Sequence, residues 1–183
     1  MSTPSPHVFI VYVEDEPGVL ARVSSLFRRR AYNIISLTVG PTETAAVSRL
    51  TIVVETDASA ARRIEAHLWK LVNVIRVEDA TRFASVRREL VLVKVSAGAE
   101  TRTDVLKVAE VFRARVVDVS PQSLILESTG TDDKISGLLD VLRPFGILEV
   151  ARSGHVAMAR GVAGPVSHSK SEPAEDIDLA CSV

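Results

Sequence analysis

The residues best suited to chemistry lie in one short run, Glu14-Asp15-Glu16-Pro17-Gly18-Val19-Leu20. A strand-like segment leads into it and a helix-like pattern leaves it, so the run is a turn ending on a helix N-terminus. Unpaired backbone N–H groups and the positive end of the helix dipole make such a terminus an anion site suited to a small carboxylate. Gly18 exposes its backbone there, and the Asp15 carboxylate is placed to take an ammonium group in the same pocket. One loop can therefore hold both charged ends of an α-amino acid. The same residues also fit a plain helix start, in which acidic side chains accept the free N–H groups and Pro17 occupies the first helical position.

No other run has the spacing of a catalytic site. There is no G-x-S-x-G elbow, no H-E-x-x-H pair and no phosphate-binding loop of the Walker type. The four histidines, His7, His67, His155 and His168, fall on a strand start, a helix, a late loop and the C-terminal tail. They lack metal-ligand spacing, so no metal site and no catalytic residue is assigned. The single cysteine, Cys181, excludes a disulfide framework and any multi-cysteine metal centre. A net charge of −1 and an aromatic content of 4% argue against nucleic-acid binding, which needs a phosphate-neutralising surface or stacking aromatics. The clusters Arg28-Arg29-Arg30, Arg62-Arg63 and Arg87-Arg88 read as solvated or protein-docking faces. No apolar run is long enough to span a bilayer, and the N-terminal residues lack a secretion signal, so the expected location is cytoplasmic.

The elements that must position the turn follow from periodicity. Residues 7–13 form a β-branched and aromatic run typical of a buried strand. Val19, Val23, Leu26 and Phe27 recur at helical spacing, closed by Arg28–Arg30 where positive charge suits a helix C-terminus. Strands are expected over 33–39, 47–55 and 74–77. Between the last two lies a helix capped by Asp57 or Ser59, with Ala61, Ile64, Leu68 and Leu71 as its buried stripe.

The order strand, helix, strand, strand, helix, strand then repeats. Strands are expected over 90–95, 116–119, 124–126 and 147–150. The helices between them start near Thr101, with Asp104 in a capping-box arrangement, and at Thr131. The fold class is therefore α+β, with two ferredoxin-like βαββαβ domains in tandem. The expected layout is a disordered N-terminus over 1–6, a first domain over 7–79, a linker over 80–88, a second domain over 89–161 and a disordered acidic tail over 162–183.

The run Val13-Glu14-Asp15-Glu16-Pro17-Gly18-Val19-Leu20-Ala21-Arg22 resembles the opening of an ACT domain, the small amino-acid-sensing ferredoxin-like module. Its continuation from Leu26 through Gly40, with Ser48–Ile52, His67–Val74, Arg88–Val95 and Glu149–Gly154, resembles the regulatory (small) subunit of acetolactate synthase over about residues 7–161. That resemblance implies a non-catalytic chain, with no cofactor of its own, that activates a catalytic (large) subunit. The partner would use thiamine diphosphate, Mg²⁺ and FAD to condense two pyruvates into 2-acetolactate. It further implies feedback inhibition by a branched-chain amino acid such as valine, bound between the ACT domains of a homodimer. Carried over position by position, Asp15, Gly18, Val19 and Leu20 would come from one chain and Asn33 and Ile34 from the other.

Two positions depart from the resembled pattern. Asp15 stands where valine-sensitive members commonly carry Asn, and Ala31 where they usually carry Gly. A carboxylate at 15 would strengthen the hold on an ammonium group and repel a carboxylate lying close. Two other classes compete with this reading. One is a free-standing amino-acid-binding ACT regulator without a catalytic partner, although no helix-turn-helix segment accompanies the first half. The other is a small ferredoxin-like hydrolase built on Arg22 and Asn33.

Overall fold

The computed structural model describes residues 3–161. The first half contains β1 (Ser5–Glu14), α1 (Val19–Arg29), β2 (Ile34–Pro41), β3 (Val47–Thr56), α2 (Ala58–Leu68) and β4 (Val74–Asp79). The second contains β5 (Ser85–Ser96), α3 (Arg102–Val111), β6 (Arg115–Val119), β7 (Ser123–Gly130), α4 (Asp132–Leu142) and β8 (Ile147–Arg152), followed by a short β9 (Val156–Ala159). The two antiparallel sheets have the orders β2-β3-β1-β4 and β6-β7-β5-β8, with β9 paired to the start of β5. This is the tandem βαββαβ architecture that the periodicity predicts.

Each half buries one face of its sheet under its two helices. Val23, Leu26 and Phe27 of α1 and Ile64 and Leu68 of α2 pack on Phe9, Val11, Leu50 and Ile52. In the second half Val105, Ala109, Ile135, Leu138 and Leu142 cover Val91, Val93, Leu124 and Leu126. The opposite face of β1 is covered as well: Val8, Ile10 and Val53 pack against Ala80 and Ala157. Burial on both faces is why residues 8–13 form a continuous apolar run with no alternation.

The halves share little sequence, yet they repeat each other in backbone detail. The central strand of each sheet shifts register against its last strand, at Tyr12/Val13 and at Lys94/Val95. Helices α1 and α3 both end in a Schellman motif. Tyr32 N–H donates to Phe27 and Ala31 N–H to Arg28, as Ala114 donates to Ala109 and Arg113 to Glu110. The left-handed residues that close these motifs are Ala31 (φ 55°) and Arg113 (φ 51°) rather than glycines.

Several expectations need correction. Residues 5 and 6 belong to β1, because the long β3 supplies Thr56 and Glu55 as their partners. The expected linker over 80–88 is a turn followed by strand. Ala80 N–H donates to the Val8 carbonyl at 2.8 Å, and Ser85–Arg88 pair with β9. Asp57 caps α2 by accepting from Ser59 and Ala60, whereas the side chains of Thr101 and Thr131 make no capping hydrogen bond. The acidic tail and Cys181 lie outside the described residues. Among the described residues no helix is long and apolar enough to cross a membrane.

Candidate functional site

The turn between β1 and α1 is open in the way an amino-acid site requires. Gly18 is the N-cap of α1 with φ 86°, and no side chain caps the helix. A β-carbon at Gly18 would meet nothing within 4 Å, so the space beside the helix terminus is free, while a side chain there would be held in a strained left-handed backbone. Val19 N–H donates to the Glu16 carbonyl at 3.3 Å and Arg22 N–H to Gly18 at 3.0 Å. The N–H groups of Leu20 and Ala21 find no acceptor among the described residues. Two donors at the positive end of an 11-residue helix therefore face solvent.

Asp15 does not cap this helix. Its Oδ1 accepts from Ser48 Oγ at 3.1 Å and its N–H donates to the Ala46 carbonyl at 2.8 Å, which ties it to the start of β3. Pro17 precedes the helix instead of starting it, because Gly18 in the left-handed region turns the chain first. Val19 is 5% exposed and packs in the core of its own half, so its side chain is no pocket wall; Leu20, at 44%, is the apolar group presented to solvent. Asn33 is exposed just before β2, and Ile34 is partly buried against the core.

A single chain does not bring the two sets of residues together. Ile34 pairs with Val54, which pairs with His7 at the beginning of β1; the turn follows Glu14, paired with Val47 at the other end. The seven residue steps from His7 to Glu14 span about 23 Å at strand geometry. Asn33 is likewise no partner for Arg22, whose guanidinium donates to Asn73 instead. The hydrolase reading therefore loses its residue pair.

Asn73 is the residue that sequence reasoning missed. It is 5% exposed, its Nδ2 donates to Glu14 at 2.6 Å and to Glu16 at 3.3 Å, and its carbonyl accepts from Glu14 N–H at 3.0 Å. With Arg22 on its amide oxygen, it fixes the turn to both β4 and α1. Nothing local in the sequence marks it, since each of these partners except β4 lies more than fifty residues away.

The corresponding turn of the second half is closed. Arg102 folds its guanidinium onto the carbonyls of Ala97, Ser120 and Pro121 at 2.9, 2.6 and 2.8 Å. The repeat therefore carries one open turn and one filled turn.

A cleft of about 740 Å³ separates the halves, with Ile35 and Leu37 on one wall and Glu89, Asp132, Arg152 and His155 on the other. Glu89, Asp132 and His155 offer ligand atoms within 4.8 Å of one another, but Arg152 donates to both carboxylates and supplies the positive charge itself. Hydrogen bonding to Glu89 is the main reason the Arg152 pKa is raised. The arrangement is an ion-pair network, and its donor set does not favour a metal.

Two ferredoxin-like domains in tandem, the first with an open, glycine-bearing βα turn, define the architecture and its candidate site. A family model described as an AHAS small subunit-like ACT domain matches residues 9–76, and one described as the small subunit of acetolactate synthase matches residues 88–161. The acetolactate synthase small subunit of Mycolicibacterium smegmatis is 52% identical over 165 residues, covering 90% of this chain and 97% of that protein. A probable acetolactate synthase small subunit of Archaeoglobus fulgidus is 50% identical over 155 residues, covering 85% and 97%. The crystal structure of the acetolactate synthase small subunit from Thermotoga maritima superposes with a TM-score of 0.79 at 36% identity, covering 87% of this chain and 99% of that one. The chain belongs to the acetolactate synthase small-subunit family, regulatory components of branched-chain amino acid biosynthesis.

Proposed function

We propose that this chain activates a thiamine-diphosphate-dependent acetolactate synthase catalytic subunit and makes it sensitive to a branched-chain amino acid such as valine. The carrying observation is the uncapped N-terminus of α1 on left-handed Gly18, with the Leu20 and Ala21 N–H groups free. In this reading those donors take the effector carboxylate, and Asp15, steadied by Ser48, takes its ammonium group. Exposed Leu20 supplies apolar surface, while buried Val19 contributes by holding the helix start in place.

The other half of the pocket comes from a second copy. β2 is an edge strand, paired on one side only with β3. If two copies join antiparallel along β2, the beginning of one β2 lies beside the end of the other. Pro41 at that end pairs with Ser48, which pairs with Val13, one residue before the end of β1 where the turn begins. Asn33 and Ile34 of the second copy would then face the turn of the first, which supports a homodimer with shared sites. Thiamine diphosphate, Mg²⁺ and FAD belong in this reading to the catalytic partner, and the holoenzyme works in the cytoplasm.

Reconstitution tests the reading. Adding the chain to its cognate catalytic subunit is expected to raise the rate of acetolactate formation, and valine to reverse the increase. Calorimetry of valine, leucine and isoleucine against the chain and against Asp15→Asn measures what the carboxylate contributes. An unchanged rate on addition removes the activating role; activation that none of the three amino acids reverses leaves activation and removes the sensor.

A further inference from the structure

The two halves meet at two contacts of different character. The first is firm. Ala157 of β9 is fully buried under Val8, Ile10 and Val53, and its carbonyl accepts from the Arg49 guanidinium on β3. The second is a small polar contact beside the cleft, where the loop 153–155 of the second half rests on β2. His155 N–H donates to Ser36 Oγ at 3.0 Å, and Thr38 Oγ1 donates to the Ser153 carbonyl at 3.4 Å.

Gly154 allows that contact. A β-carbon at this position would sit 2.7 Å from Ser36 Oγ and 2.9 Å from Thr38 Oγ1, and φ is +80°. Any larger residue is strained at this φ, and its β-carbon must turn the two hydroxyls aside or lift the loop from β2, so the hydrogen-bonded seating is lost either way. On its other side the loop is tied into the second half. Ser153 Oγ accepts from Leu90 N–H at 3.1 Å, Ser153 N–H donates to the Leu90 carbonyl at 3.0 Å, and the adjoining Arg152 holds Glu89 on β5 and Asp132 at the start of α4. A shift of β2 at Ser36 therefore reaches β5 and α4 through one three-residue loop. The cleft beside Ile35 and Leu37 leaves room for that shift, and Ala157 provides the fixed point about which it would occur.

We infer that the seating of Gly154 on Ser36 and Thr38 couples the effector state of the first half to the second half, with Gly154 and Ser36 as positioning residues. The inference rests on the proposed sharing of β2 between the effector pocket and the dimer. Ile34, assigned to the pocket, stands two residues before Ser36, with the β2/β3 register shift between them. Effector that fixes the start of β2 thereby fixes Ser36, and the loop reports it.

The test separates valine binding from valine inhibition. Gly154→Ala, Ser36→Ala and Thr38→Val are each reconstituted with the catalytic subunit; valine affinity is measured by calorimetry and acetolactate formation with and without valine. Gly154→Ala is expected to activate normally and bind valine with little change, while inhibition at saturating valine becomes partial or is lost, as removal of an allosteric coupling requires. Ser36→Ala and Thr38→Val add no bulk, so they probe the contact even where the alanine at 154 impairs folding, and each is expected to shift inhibition in the same direction by a smaller factor. Inhibition that matches the parent in all three variants overturns the inference. So does a loss of valine affinity equal to the loss of inhibition, which would place these residues in the pocket itself. A parent chain that binds no branched-chain amino acid overturns the effector reading and this inference together, an outcome distinguished by the calorimetry of the parent.

Discussion

Arg22 on the first helix donates through Nη1 to the amide oxygen of Asn73, fifty-one residues further along the chain. The opposite side of the same amide holds Glu14 and Glu16, so one buried side chain joins helix start, turn and last strand. The network anchors the turn that leads into the uncapped start of α1, where the Leu20 and Ala21 N–H groups stand open.

Asn73→Ala removes three hydrogen bonds and leaves their partners in a partly buried site. Stability is expected to fall by about 1–3 kcal/mol, measured by urea denaturation. Valine affinity is expected to fall with it, since the turn loses its side-chain ties to Arg22, Glu14 and Glu16 and keeps only the main-chain bond from Glu14 N–H. A variant as stable as the parent would mean that water replaces Asn73 without loss.

Ala31 closes the Schellman motif of α1 in the left-handed region, where its β-carbon crowds the backbone. Ala31→Gly relieves that strain and is expected to stabilise the chain by roughly 0.5–1 kcal/mol, after the greater freedom of glycine in the unfolded state is set against it. The denaturation midpoint should rise with the slope unchanged. A lower midpoint would show that the surrounding core already accommodates the alanine.

His67 lies in a groove between the C-terminal ends of α1 and α2, with Arg29, Arg30 and Lys70. Its pKa is lowered by burial first and then by the charges of Arg30, Lys70 and Arg63. The unfolded chain therefore takes up the His67 proton at a higher pH than the folded chain does. The stabilisation is complete above the ordinary histidine pKa and is lost as pH falls through that value toward the folded one. His67→Gln is expected to lose less stability than the parent between pH 7 and pH 5, by thermal unfolding across that range. Equal losses would show that other groups set the acid response.

The elements and both cores were legible because apolar spacing follows local geometry: residues 8–13 announce a strand buried on two sides, and Asp57 announces a helix cap two and three residues away. Asp15 was legible as chemistry but not as geometry. A carboxylate beside a helix start looks the same in sequence whether it caps that helix or accepts from Ser48, thirty-three residues on. β9 was hidden for a similar reason. Its partner Ser85–Arg88 is polar and charged, so neither strand shows the alternation that marks a half-buried pair, and their match is made across about seventy residues. Asn73 and Gly154 act entirely through distant partners, and a glycine required by a hydroxyl on another domain carries no local mark.

Glu89 and Arg152 make the strongest case of a pairing that composition cannot reveal. Glu89 is 3% exposed, and its two oxygens accept from Nε and Nη2 of Arg152, sixty-three residues away. Arg152→Met removes the cation and leaves a buried carboxylate with no counter-charge. Breaking such a pair costs about 3–5 kcal/mol when both partners are buried. Arg152 keeps 38% of its side chain exposed, so water can reach part of the vacated site and the expected loss lies near the lower figure. Adding Glu89→Gln removes the stranded charge, so the double variant should recover much of that loss; a double variant less stable than Arg152→Met alone would show that Glu89 has other partners. The same substitution frees Asp132 at the start of α4, where a carboxylate favours the helix dipole without Arg152. The destabilisation should therefore trace to Glu89 alone, which a double-mutant cycle on the two residues measures directly.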